Sequence, residues 1–318
     1  MIRKLNGFIV GAIFLLSASQ AFSWGATGHQ IVAGAGASLS GVAFWTNNVQ
    51  GIEQLSTVPD RVWKATSYQL ESMNHWFQGD AYTNVLGKGS LSQFPRSYQE
   101  SIRKYGEAVI LKNGVSPWRI QQFYSLALAA LKKGDAQSAM IYVGVMSHYI
   151  GDLSQPLHDT VNYDGQLSGQ KGIHKYFETD NIQDMQTIGR QVQAEASAIL
   201  QNPSNLNVLM NTSLIDLSFI EIERALMFRD QVLSNDKKLG RSGSGAQAQL
   251  KLAISRMADG AAIYATILNR LWKEAQANIP SGQISVGDPA FIQDDFSGTL
   301  HFSEVKRMTR IDADDCEL

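Results

Sequence analysis

Five of the six histidines in this 318-residue chain fall into one pattern that suits a divalent metal. From Ser147 to His158 the chain reads Ser-His-Tyr-Ile-Gly-Asp-Leu-Ser-Gln-Pro-Leu-His. His148 and Asp152 are four residues apart, His158 comes six after Asp152, and His174 and Glu178 are again four apart. Residues at i and i+4 of a helix lie one above the other on a single face, so an imidazole and a carboxylate at that spacing can reach one ion. Zinc takes imidazole nitrogen and carboxylate oxygen without needing thiolate, and the chain has no cysteine-based ligand set. The candidate ligands in chain order are Trp24, His29, Asp60, His75, His148, Asp152, His158, His174 and Glu178. Taken alone, His75 in Asn74-His75-Trp76-Phe77 would read as a core histidine, and Asp60 after Pro59 as a helix cap. Their order and intervals relative to the two spaced pairs favour ligation. His301 has no partner at ligand spacing and reads as a surface histidine. Trp63, Trp76 and Trp118 read as packing residues, with Trp76 also a candidate for lining a cleft because it follows His75.

Trp24 enters the set because of what precedes it. Arg3 and Lys4 form a positive start, residues 7–16 are apolar, and Ala21-Phe22-Ser23 presents the small residues that a signal peptidase reads. The apolar run is shorter than the roughly 20 residues needed to span a bilayer. Residues 1–23 are therefore expected to be a cleaved signal, and the protein secreted or periplasmic. Cleavage after Ser23 would leave Trp24 with a free α-amino group. Such a group has an ordinary pKa near 8, about where its neutral form becomes accessible to a metal. Trp24 could then ligate through its amino nitrogen and its main-chain carbonyl. No later segment of the sequence is long and apolar enough to cross a membrane.

Charge narrows the partners. The chain carries 27 Lys and Arg against 29 Asp and Glu, a net charge of −2; loss of Arg3 and Lys4 leaves 25 against 29, or −4. That balance gives no electrostatic footprint for duplex nucleic acid, and bound divalent metal would offset part of it. Cys316 is the single cysteine, so the chain has no internal disulfide, and it reads as a free thiol near the terminus. About 295 residues after cleavage can bury a substantial core without such staples.

The elements that must position the ligands read as helices. Ser116 is expected as an N-cap with Pro117 at the first helical position. Ile120, Phe123, Leu126, Leu128, Ala129 and Leu131 follow at helical spacing. Lys132-Lys133-Gly134 ends that helix. Asp135 caps the next, which is apolar on most faces and should be buried. His148 and Asp152 lie at its far end. Further helices are expected near residues 97–112, 181–200, 215–232 and 247–275. Turns are expected at Gln201-Asn202-Pro203-Ser204, from Gly240 to Gly245, and at Pro280-Ser281-Gly282. There is no internal repeat. Residues 281–318 change character, being rich in Gly, Asp and Ser, with an alternating stretch at 300–305 that suits a small hairpin or an extended tail. The expected organisation is an all-α, single multi-helix domain over 24–280, followed by a less regular tail over 281–318.

The motifs together resemble the zinc-dependent phospholipase C and S1/P1 nuclease superfamily. The resemblance starts at Trp24-Gly25-Ala26-Thr27-Gly28-His29 and runs to about Asn181; the region beyond is helical but without motifs. Its specific parts are the would-be N-terminal tryptophan, His148-x3-Asp152-x5-His158 with Gln155-Pro156-Leu157 inside it, and His174-x3-Glu178. The resemblance implies three zinc ions. Asp60, His75, His148 and Asp152 would hold the first, and His158, His174 and Glu178 the second. Trp24, through both backbone atoms, and His29 would join Asp152 on the third, with Asp152 bridging two ions. It also implies phosphodiester hydrolysis by zinc-activated water, with no protein nucleophile. Asp60 is a ligand that has also been assigned the catalytic base in this family.

Substrate divides the superfamily, and this chain carries marks of both branches. Glu178, where the nucleases usually carry Asp, looks like the phospholipase pattern, as does the stretch from Gly172 to Glu178. The absence of cysteines for the disulfides of fungal nucleases points the same way. The short interval from Trp24 to His29 is nuclease-like. The aromatic residues of a choline pocket are replaced by Arg61 and Ser72, and the nuclease base-recognition acid by Gln78. The expected function is phospholipase C acting at a membrane or micelle surface, releasing diacylglycerol and a phosphorylated headgroup, with phosphatidylcholine one candidate substrate. The alternative is a single-strand nuclease or 3′-nucleotidase. A third reading, a metal-binding or interaction protein that has lost activity, is opposed by the complete ligand set. A monomer is expected.

Overall fold

Local chemistry sets the helix boundaries in the computed structural model, which describes residues 24–82 and 91–292. The expected signal over 1–23, the stretch 300–305, His301 and Cys316 lie outside these. The first helix, α1, spans Gly25–Leu39, followed by α2 (Ala43–Thr46) and α3 (Val49–Leu55). A π-helical turn over Pro59–Trp63 leads into α4 (Lys64–Glu71), and a 3-10 turn over Ser72–His75 completes this arm. Residues 97–112, expected as one helix, form two. Gly106, at φ 87°, separates α5 (Tyr98–Tyr105) from α6 (Glu107–Lys112), because a left-handed residue cannot continue the helix.

Next come α7 (Ser116–Lys133) and α8 (Ala136–Ser154). Helix α7 starts one residue earlier than expected, with Val115 in the cap position and Pro117 in the first turn. Gly134 ends it in the left-handed conformation at φ 73°, and the Asp135 side chain accepts the Ser138 amide at 3.1 Å to open α8. A short helix, α9 (Ile173–Lys175), runs into a second π-helical turn over Tyr176–Asp180. Asp184 caps α10 (Met185–Gln201) by accepting the Thr187 amide. Gln201-Asn202-Pro203-Ser204 separates two helices as expected and also starts one. Asn202 caps α11 (Pro203–Asn211), with Pro203 in its first turn. Ser213 caps α12 (Leu214–Leu239), and α13 (Ser244–Ala275) closes the bundle.

No strand occurs among the described residues, and none of their helices is long and apolar enough to cross a membrane. The all-α expectation holds. Every residue of α8 from Val143 to Ser154 is buried, which fits its apolar faces: α1, α3, α7, α12 and α13 all pack on it. The Gly- and Ala-rich helix α1 lies close against α13. A Cβ added at Gly36 would meet the Tyr264 ring at 2.6 Å and the Ala261 carbonyl at 2.9 Å, so only glycine permits that approach. Residues 281–292 return over the bundle as irregular chain that ends in a 3-10 turn over Pro289–Phe291. Asn47 and Asn48 donate to the carbonyls of Ser281 and Gly282, and the Ile284 amide donates to Asn48 Oδ1. The Trp63 indole donates to the Ile292 carbonyl at 2.8 Å.

Candidate metal centre

The interior helix α8 supplies two of the candidate ligands one turn apart. His148 Nε2 lies 3.3 Å from Asp152 Oδ2, and both residues are fully buried. Helix α1 brings in His29 from its first turns. Its ring stacks on His148 with centroids 3.7 Å apart, and its Nε2 is 3.4 Å from Asp152 Oδ1. Gly151 permits this: a Cβ there would stand 3.1 Å from His29 Nδ1. Asp60 and Glu178 each sit in one of the two π-helical turns, a local widening of the helix that recurs at functional sites. Asp60 Oδ1 is 3.6 Å from His75 Nδ1 and 3.9 Å from His148 Nε2. His75 Nδ1 is 3.1 Å from Asp152 Oδ2 and 2.8 Å from His148 Nε2.

The second cluster is built where the chain leaves α8. His174 and His158 place their Nε2 atoms 2.9 and 3.6 Å from Glu178 Oε2. Gln155 donates to the same oxygen at 3.0 Å. His158 Nδ1 is also 3.8 Å from Asp152 Oδ1, which joins the two clusters.

The structure thus brings all eight side-chain candidates together. Three groups have ligand atoms within 4.8 Å of one another: His29, Asp60 and His148; His75, His148 and Asp152; and His158, His174 and Glu178. The last is the expected second set. The expected first set is divided between the other two groups, which share His148, and His29 stands within reach of both Asp152 and, at 4.0 Å, Asp60. Trp24 is buried at the head of α1. Its indole donates to the Gly151 carbonyl at 2.7 Å, and its own carbonyl accepts the Gly28 amide. Trp63 and Trp118 are buried packing residues, and Trp76 is half-buried.

The donor set fits a metal. Both oxygens of Asp152, Oδ2 of Asp60, Oε1 of Glu178 and Nε2 of His158 are buried without a hydrogen-bond partner among the described residues. Buried polar atoms are ordinarily satisfied. Three histidines turn their outer nitrogen to a backbone carbonyl: His148 Nδ1 to Ser56, His158 Nδ1 to His75, and His174 Nδ1 to Tyr163, at 2.8, 2.6 and 2.9 Å. Each carbonyl can only accept, so Nδ1 carries the proton and Nε2 keeps its lone pair for the centre. This is the outer support typical of histidine ligands.

Electrostatics favours the neutral form at four of the five histidines; at His174 burial is outweighed by Glu178 and the pKa is raised. Burial, followed by the neighbouring cations, pushes His29, His75 and His148 well below the usual histidine range. Burial and then the Asp60 charge push Asp152 well up. Burial alone would raise Glu178, but His174 and His158 outweigh it and bring it down to about 2. Burial would likewise raise Asp60, yet Lys64, whose Nζ lies 3.0 Å from Oδ1, together with His75 and His29 holds it low. Neutral imidazoles beside ionised carboxylates are what a divalent ion requires, and of these carboxylates Asp60 also has a lysine beside it.

Sequence reasoning passed over Glu71, Lys64 and the three supporting carbonyls. Glu71 had a signal, for it precedes His75 by four residues, the spacing of the recognised pairs.

No protein-family model matches the chain. A curated probable serine protease from Bradyrhizobium tropiciagri is 33% identical over 91 residues, which covers 23% of this chain and 12% of that one. Among solved structures, the alpha-toxin of Clostridium absonum aligns with a TM-score of 0.48 and 18% identity over 78% of this chain and 65% of its own. The alpha-toxin of an avian strain of Clostridium perfringens aligns with a TM-score of 0.51 and 17% identity over 81% of this chain. This chain spans 66% of that toxin, just under two thirds of its length. At such identity the likeness is one of fold alone. The helical bundle that carries these His/Asp/Glu groups is a fold this chain shares with Clostridium perfringens alpha-toxin.

Proposed function

We propose that this chain is an exported phosphodiesterase of the phospholipase C type. It holds three zinc ions and cleaves a phospholipid to diacylglycerol and a phosphorylated headgroup. The observation that carries this reading is the buried convergence of His29, Asp60, His75 and His148 on Asp152, with His158, His174 and Glu178 alongside. One ion falls to Asp60, His75, His148 and Asp152, a second to His158, His174 and Glu178, and a third to Trp24, His29 and Asp152. When bound, zinc supplies Lewis acidity toward a phosphoryl oxygen and hydroxide near neutral pH.

The chain's own residues set the conditions. The carbonyls of Ser56, His75 and Tyr163 hold three imidazoles in the tautomer that presents Nε2. Lys64 is the first of the groups that keep Asp60 ionised. A carboxylate held that low accepts a proton poorly, so ligation takes precedence over a base role for Asp60. Arg61 is exposed beside Asp60 and suits an anionic headgroup, whereas Ser72, in the place of a choline-pocket aromatic, is buried.

The test is product release by the zinc-loaded protein from mixed phospholipid micelles, with single-stranded DNA assayed in parallel. Diacylglycerol release with intact DNA supports the proposal. Cut DNA with intact lipid moves the chain to the nuclease branch on the same metal set, and neither product from fully zinc-loaded protein supports a binding role.

A further inference from the structure

Each of His148, His158 and His174 has a carbonyl behind its outer nitrogen; His75 has a carboxylate. His75 is turned the other way, with Nδ1 toward Asp152 and Nε2 3.2 Å from Glu71 Oε1, within reach though not in hydrogen-bond geometry. Glu71 is fully buried and held on both oxygens. Tyr149 donates to Oε1 at 2.6 Å, while Asn74 and Arg119 donate to Oε2 at 2.9 and 3.2 Å. Arg119 is buried too. Its guanidinium lies over the rings of Phe123, Tyr149 and Trp63, 4.8, 5.5 and 5.6 Å from their centroids, and it donates to Gln122 at 2.7 Å. A carboxylate held by this many donors is fixed in place.

The network also ties together three segments that carry ligands. Trp63 belongs to the turn that holds Asp60, Glu71 precedes the turn that holds His75, and Tyr149 follows His148 in α8. Arg119, from α7, touches all three.

We propose that Glu71, fixed by Tyr149, Asn74 and Arg119, is a positioning residue that holds the His75 ring with Nδ1 toward the metal centre and sets the affinity of the zinc bound there. This rests on the reading of His75 as a zinc ligand. A carboxylate behind an imidazole orients the ring and strengthens it as a donor, and loss of such a partner typically lowers metal affinity about 10–100-fold.

The experiment is chelator competition on the zinc-loaded protein, following zinc retained per chain, for wild type, Glu71→Gln, Tyr149→Phe and His75→Ala, with far-UV circular dichroism on the same samples. Glu71→Gln keeps the shape but removes the charge. It should release one zinc at about 10–100-fold lower chelator strength while the others stay. Tyr149→Phe removes one donor to Glu71 but keeps the ring, and should weaken the same zinc less. It carries the test alone should Glu71→Gln not fold. Wild-type retention in the folded Glu71 variant, or in the Tyr149 variant where only that one folds, together with loss of a zinc in His75→Ala, overturns the positioning role and leaves the zinc reading intact. Unchanged zinc content in His75→Ala overturns both.

Discussion

Two glycines at one helix pair should respond to alanine in opposite directions, and the reason lies in what each new methyl group meets. Gly144 in α8 and Gly51 in α3 both face across the contact between these helices. Alanine in place of glycine inside a helix is favourable by roughly 0.5–1 kcal/mol from backbone entropy alone. At Gly51 the added Cβ would stand 3.4 Å from the terminal methyl of Met140, which can swing aside. Gly51→Ala should therefore be neutral or stabilising by about 0.5 kcal/mol. At Gly144 the added Cβ would stand 2.3 Å from Leu55 Cβ and 3.0 Å from Leu55 Cδ1. Leu55 Cβ is bonded to the backbone and has no rotamer to escape into, so the end of α3 must shift. Overpacking of this kind costs about 1–3 kcal/mol, and an approach this close belongs at the upper end. After the helix gain, Gly144→Ala should lose about 2 kcal/mol, or roughly 4 °C or more in thermal midpoint. The shift also reaches the metal centre, because Ser56 follows Leu55 and its carbonyl holds His148 Nδ1. Thermal unfolding of both zinc-loaded variants, followed by circular dichroism, checks the pair. A midpoint for Gly144→Ala equal to or above that of Gly51→Ala would refute the packing argument.

Three further outcomes are expected. Asp152→Asn should lower activity and zinc content by more than His29→Ala, at least roughly tenfold in activity (about 1.4 kcal/mol), since Asp152 faces His29, His75 and His148 while His29 serves one side; wild-type zinc content in Asp152→Asn would remove the bridging role. One extra residue before Trp24 in the purified protein should weaken one zinc and spare the other two, read by elemental analysis after dialysis, and a full complement of three would end the claim that the terminal amine is a ligand. Glu221, paired with Arg256, is pushed up to about 7 from an ordinary 4.5, first by burial. Its protonated form is therefore favoured by folding, so its contribution is complete below about pH 4.5 and is lost as pH rises through about 7. Stability should fall by on the order of 3 kcal/mol across that window, and Glu221→Gln should flatten that part of the urea-denaturation profile; an unaltered slope would contradict it.

What could be read in the sequence was what a helix makes periodic. The pairs His148/Asp152 and His174/Glu178 stood out because their spacing is one helical turn, and Gly134-Asp135 marked an end and a start because both act through neighbouring amides. Asn202-Pro203 was legible as a break, yet the helix it opens had no expectation, and Gly106 was passed over inside a stretch expected as one helix. Asp60 looked like a cap and lies instead inside a π-helical turn, a widening that no residue pattern announces. The supports behind His148, His158 and His174 are main-chain oxygens of Ser56, His75 and Tyr163, and a carbonyl has no side-chain identity to read. Arg119 was hidden for a different reason. Its role comes from Trp63, Glu71 and Tyr149 meeting in space, while in sequence they are far from it.

The pairing of α1 with α13 has a consequence for how the molecule comes into being. Gly36 of α1 fits against Tyr264 and the Ala261 carbonyl of α13, near the other end of the described chain. A chain emerging from its N-terminus exposes α1 long before its partner exists. Contacts closed over so long a loop are slow to form. Helix α1 also packs directly on α8, so His29 can meet Asp152 before α13 is made, whereas the α1–α13 contact must wait for the whole intervening chain. A polypeptide that had to pass through a narrow channel before folding would find this delay written into its topology.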